Sequence, residues 1–179
     1  MRVSLFLLVV LFSANNYCQK VKFRNGVFID SLQLNSKINY SDSILITFEG
    51  DTHLVNYFLD LESKIRKRAK KGYSKNFIYF DYNLISFSPL NDDLIKIPKN
   101  NYNKEDFNYM MTISLSEVKG WDYNLGYKRK QSYRINFSIE NPINAAQVGF
   151  LSFDVKTYYT ILKENKTLVN ILFNNLFEL

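Results

Sequence analysis

Two short apolar runs, SILITF at 43–48 and NFIYFDY at 76–82, stand either side of a segment in which Leu54, Phe58, Leu61 and Ile65 recur four, three and four positions apart. This change of period and back again constrains the fold more than any other feature. A run that is apolar on adjacent as well as alternate positions suits a strand covered on both sides, in the interior of a sheet carrying helices. The spacing between the runs puts one apolar stripe along a helix. Asp51 or Thr52 can cap that helix and Gly72 can stop it. Strand, helix and strand in this order predict a βαβ unit with parallel strands.

The second half changes character. Residues 89–108 contain two prolines, several asparagines and mixed charge, which predicts a long surface connection without fixed structure. Beyond it Met111, Ile113 and Leu115 alternate with Thr112, Ser114 and Ser116, and Tyr133, Ile135, Phe137 and Ile139 alternate with polar residues. Each pattern is that of a half-buried strand. A third strand runs from Val148 through Leu151, Phe153 and Val155, with a change of phase between Phe150 and Leu151 that predicts a bulge there. The turns near 120–126 and 141–147 make these an antiparallel meander. Leu168, Leu172 and Leu176 then mark a terminal helix laid on the sheet. Residues 20–35 are expected to hold one or two short edge strands around Asn25 and Gly26. The fold class expected is α+β: a mixed sheet with an N-terminal βαβ unit, a three-stranded antiparallel meander and a C-terminal helix.

The chain opens with Arg2 and an apolar run from Val3 to Phe12, shorter than the roughly 20 residues a membrane-spanning helix requires. This is the pattern of an export leader, with cleavage expected before Gln19. Cys18, the single cysteine, then leaves with residues 1–18. Its lipidation, the alternative, calls for an aliphatic residue three before the cysteine and a small one directly before it, where this chain has Asn15 and Tyr17. Residues 19–179 are expected to form a single domain in the periplasm or outside the cell, with no transmembrane segment. Without cysteine, that domain has neither disulfides nor thiolate metal sites. Its net charge is +5 against +6 for the whole chain, because Arg2 is the only charge in the leader.

The element order, with runs such as YRINFSIENP and VGFLSFDVKTYY, resembles a group of small bacterial envelope proteins. The group includes penicillin-binding-protein activator lipoproteins and the periplasmic domain of the curli secretion lipoprotein. The resemblance implies a non-catalytic scaffold or regulator in the envelope.

Three constellations bear on chemistry. FEGDTH places Glu49, Asp51 and the only histidine, His53, at the carboxyl end of a strand, with Asp81 at the end of the neighbouring one. Such a place commonly holds sites in open α/β sheets, and these groups could bind a divalent cation or pair a base with a carboxylate in a hydrolase. Equally, Asp51 and Thr52 suit a helix cap and Glu49 the helix dipole. The run SKIRKRAKK clusters Arg66, Lys67 and Arg68 with further lysines where a helix ends, a position that cations favour. A second basic run sets Lys128, Arg129, Lys130 and Arg134 among tyrosines and Trp121. Such a set can stack on sugars or bases, or guard a sheet edge. Export argues against nucleic acid, leaving acidic lipid headgroups, lipopolysaccharide phosphates or an acidic protein as partners. The two runs are expected to lie apart. No metal or cofactor is expected, and the oligomeric state is not readable. The function these features imply is a non-enzymatic envelope accessory or scaffold protein, with a hydrolase or a polyanion-binding module as the alternatives.

Overall fold

The computed structural model describes residues 25–71, 77–85, 100–120, 130–158 and 160–177. Six strands form one mixed sheet: β1 (Gly26–Leu34), β2 (Ile44–Asp51), β3 (Ile78–Ile85), β4 (Tyr109–Lys119), β5 (Gln131–Glu140) and β6 (Gln147–Thr157). Their order across the sheet is β1-β6-β5-β4-β2-β3. Strand β2 pairs in parallel with both β3 and β4, whereas β4, β5, β6 and β1 pair antiparallel in succession. Helix α1 (Val55–Ala69) connects β2 to β3, and α2 (Asn165–Leu176) closes the chain. The βαβ unit, the meander and the terminal helix thus stand where the hydrophobic periods put them.

Both helices cover the same face. Phe58, Leu61 and Ile65 of α1 and Leu168, Leu172 and Leu176 of α2 are fully or almost fully buried against Ile46, Phe48, Phe80, Ile113, Phe137 and Phe153 of the sheet. Fully burying one such side chain contributes about 1.5–3 kcal/mol, so this layer dominates the stability. Polar links run through it. The Tyr57 hydroxyl donates to that of Tyr133 at 3.1 Å, and Asn165 Nδ2 donates to Asp60 Oδ2 at 2.9 Å. Ahead of β2, Ile38 donates its amide to the Leu176 carbonyl at 2.8 Å and bridges to Phe177, which ties the start of the chain's core to its end.

The opposite face is largely polar. Its rows run Asp81–Thr47–Thr112–Ser138 and Asn83–Glu49–Ser114–Asn136 across β3, β2, β4 and β5. The exception is a small apolar patch in which Phe107 covers Leu45 and Met110, with Tyr79 packed beside them. The end of the 89–108 connection is therefore ordered, although its composition predicts no fixed structure: the Phe107 ring stacks edge-on against Tyr79 and Tyr102, at centroid distances of 5.1 and 5.7 Å. A short 3-10 turn, Lys104–Asp106, leads into it, with the Asn103 side chain accepting from the Glu105 amide.

Among the described residues the N-terminal region contributes one edge strand, as expected there, with a register slip between Ile29 and Ser31. The irregularity in β6 falls between Gln147 and Gly149 instead of after Phe150. Gly149 lies opposite Ile139 on the helix-covered face, where a Cβ would come within 2.4 Å of Leu34 Cδ2 and 3.2 Å of the Gln33 carbonyl oxygen. Leu34 fills the space that glycine leaves, so the alternation continues unbroken from Gly149 through Val155.

Candidate functional site

The polar face carries a groove of about 350 Å³. Leu45, Thr47 and Glu49 of β2, Asp81 and Asn83 of β3, Met110 and Thr112 of β4, and Glu140 of β5 line it, and Asn100, Tyr102 and Lys104 form its outer wall. Strand alternation explains this membership apart from Tyr82, which also borders the groove, since odd-numbered residues of β2 and β3 and even-numbered residues of β4 and β5 share a face. The Asn100 side chain donates to the Phe80 carbonyl at 3.1 Å and fixes the wall to β3, and Asn83 Nδ2 stands 3.4 Å from Glu49 Oε1.

Of the four residues suggested by FEGDTH and the neighbouring strand, Glu49 and Asp81 line this groove, whereas Asp51 and His53 do not. Asp51 caps the 3-10 turn Thr52–Leu54 that leads into α1: its Oδ1 accepts from the His53 amide at 2.7 Å and lies 2.6 Å from Nδ1 of the same residue. Partial burial pushes the Asp51 carboxyl pKa up, but the hydrogen bonds from the His53 amide and ring and the imidazole's charge outweigh this and hold it below the ordinary value. Among the described residues no three His, Cys, Asp or Glu side chains gather in a way that could hold a metal ion.

The first basic run divides around α1. Arg66 is taken up internally: its Nε donates to Glu62 Oε1 at 2.6 Å, and its guanidinium lies over the Phe80 ring, 4.3 Å from the centroid. Glu62 also accepts from the Tyr82 hydroxyl, which burial and the Glu62 carboxylate push well above its ordinary pKa. Lys67 and Arg68 face the other way. With Ser63, Lys64 and Lys71 of the same helix end and Lys166, Val169 and Asn170 of α2, they line a second groove of about 320 Å³ between the two helices. No sequence signal marks Lys166, because the pairing of α1 with the first turn of α2 is a tertiary contact between segments nearly a hundred residues apart in the chain.

In the second basic run, Trp121, Lys128 and Arg129 lie outside the described residues, as do the leader, Cys18 and Gly72. Lys130 is described: its Nζ is 5.8 Å from the Tyr158 ring centroid, at the start of β5. That start pairs with the far end of β4 and β6, while α1 ends toward Ile78, which pairs with the first residue of β2. Lys130 and the Lys67–Lys71 helix end therefore stand at opposite ends of the sheet. Arg134 serves the polar face as a clamp: its three guanidinium nitrogens reach Asp154 at 3.0 Å, Glu117 at 2.8 Å and Asp30 at 3.4 Å, joining four adjacent strands. Glu117 attains this reach from a left-handed backbone (φ 52°) within the register slip of β4.

No helix among the described residues is long and apolar enough to cross a membrane. No family model and no curated protein sequence matches the chain. Solved structures do share its architecture. A PelC dodecamer from Paraburkholderia phytofirmans superposes with a TM-score of 0.55 at 10% identity, over 84% of this chain and 96% of that one. A variant PelC dodecamer from the same organism gives 0.53 at 12% identity, over 86% and 97%. Lipoprotein GNA1162 from Neisseria meningitidis is also similar, at 13% identity over 74% and 93%, with a TM-score of 0.38. At these identities the likeness to PelC is one of fold, and it extends over almost the whole of that protein.

Proposed function

We propose that this chain is an exported accessory protein of the bacterial envelope that works through contacts with proteins or envelope surfaces and carries out no reaction of its own. In this reading residues 1–18 are a leader removed before Gln19, and residues 19–179 form one domain in the periplasm or outside the cell. The observation that carries the reading is the shared architecture with PelC, which covers 96–97% of that protein. PelC is a dodecamer in both structures, so a second copy of this chain is the first partner to test. The sheet edge gives further support. Strand β1 is paired only on its β6 side among the described residues, and Phe28, Ile29 and Leu32 on it are all more than 40% exposed. An edge strand with exposed apolar side chains can take a further strand.

A hydrolase built on Glu49, Asp51, His53 and Asp81 would need these groups around one reacting atom. The Asp51–His53 pair stands outside the groove that Glu49 and Asp81 share, which favours the contact reading. The test is affinity capture of tagged protein from envelope extracts, with mass spectrometry of the captured chain itself. The expected result is a chain starting at Gln19, free of lipid, that brings down a second copy or another envelope protein. Recovery of no partner, together with turnover of a substrate by the purified protein, would replace the reading with the enzymatic one.

A further inference from the structure

The groove between α1 and α2 has a composition that its sequence neighbours do not explain. Lys64, Lys67 and Arg68, spaced i, i+3, i+4, lie on one side of α1, Lys71 follows in the turn just past its end, and Lys166 of α2 faces them across the gap. No carboxylate lines the groove among the described residues. Lys64 is partly neutralised by Asp60 at 3.0 Å, and Arg68 lies over the Phe173 ring at 5.4 Å. Lys67, Lys71 and Lys166 are exposed, and none forms an ion pair with a carboxylate among the described residues. A dipole at a helix end accounts for cations in the last turn of α1, but not for Lys166, which sits in the first turn of α2, where the dipole disfavours positive charge.

We propose that this groove binds phosphate groups presented on an anionic membrane surface. The groove is lined by the buried Val169, the polar Ser63 and Asn170, four lysines and one arginine. Recognition runs mainly through lysine point charges on flexible stems, which select a class of anion instead of one molecule. A single phosphate free in water gains little from such a rim, whereas a surface carrying many phosphates engages several cations at once and adds their contributions. The exposed Lys70 beside the groove widens the same basic surface. The inference depends on the described helix layer and stands apart from the question of export or of a protein partner.

The experiment is co-sedimentation of the purified protein with vesicles of phosphatidylglycerol and phosphatidylcholine, against vesicles of phosphatidylcholine alone. A groove variant, Lys67→Gln with Lys71→Gln and Lys166→Gln, is compared with a control of equal charge loss at Lys37, Lys119 and Lys156. All six are surface lysines outside the core, and circular dichroism and melting establish that both variants fold. The expected result is binding to the anionic vesicles only, at least about tenfold weaker for the groove variant, near native for the control, and falling as salt shortens the Debye length below roughly 10 Å. Equal losses in the two variants would reduce the effect to net charge and overturn the proposal. So would absence of binding by the native protein. Displacement by millimolar inorganic phosphate at constant ionic strength would overturn the membrane source in favour of a small-anion site.

Discussion

The hydroxyl of Tyr57 on α1 meets that of Tyr133 on β5 at 3.1 Å, inside a layer where both side chains are at most 2% exposed. Burial pushes both phenols above their ordinary pKa, so the pair is neutral throughout the physiological range. The rings also stack edge-on, at a centroid distance of 5.4 Å. Tyr57→Phe or Tyr133→Phe alone should each lower unfolding free energy by about 1 kcal/mol. The double change should cost less than the two together, since they share one bond. Urea denaturation of the three variants measures the coupling, and strict additivity would show that the hydroxyls do not act on each other.

Gly149 makes room for Leu34 at the junction of β6 and β1. Gly149→Ala should destabilise by about 1–3 kcal/mol through overpacking. In a Leu34→Ala background the same change should cost clearly less, because the nearest atom to the new Cβ is Leu34 Cδ2 at 2.4 Å. Denaturant midpoints of the four chains decide between this and a backbone effect alone.

Asp51 holds the turn that starts α1. Its folded pKa is depressed, so its contribution is present in full above the ordinary carboxylate range and is lost as pH falls through the lowered value. Asp51→Ala should cost about 1 kcal/mol near neutrality, in line with other lost caps. The gap between native and variant should close in the acid range, which thermal melts across pH 2–7 can follow.

Arg134 gathers Asp30, Glu117 and Asp154 from three other strands. Arg134→Met leaves three carboxylates facing one another on the polar face, and melting temperature should fall further at low than at high salt. A salt-independent loss would point to the arginine's packing and not to its charge.

Much of this fold is readable from period alone. Phe58, Leu61 and Ile65 at 3.6-residue spacing, and Tyr133, Ile135, Phe137 and Ile139 at two, each present one face to a single core. Strand β1 is less readable because Ile29 and Leu32 are apolar yet exposed, so no clean alternation marks it. The bulge in β6 is displaced because Gly149 occupies an inward position with no side chain to record it. On the candidate sites, the spacing of Lys64, Lys67, Arg68 and Lys71 was present in the chain, and it separates them from Arg66 on another side of the same helix. Their partner Lys166 was not readable, since only packing brings α2 beside α1. The FEGDTH stretch divides for a related reason: Glu49 follows the strand's alternation onto the polar face, while Asp51 turns to cap the helix entry.

A photo-reactive side chain at the exposed Leu32 of edge strand β1 distinguishes contact from turnover in living cells. A discrete light-dependent adduct, to a second copy of the chain or to one envelope protein, is expected at native expression. No adduct from Leu32, and equally none from Ile85 on the other sheet edge, would show that the protein does not work through such contacts.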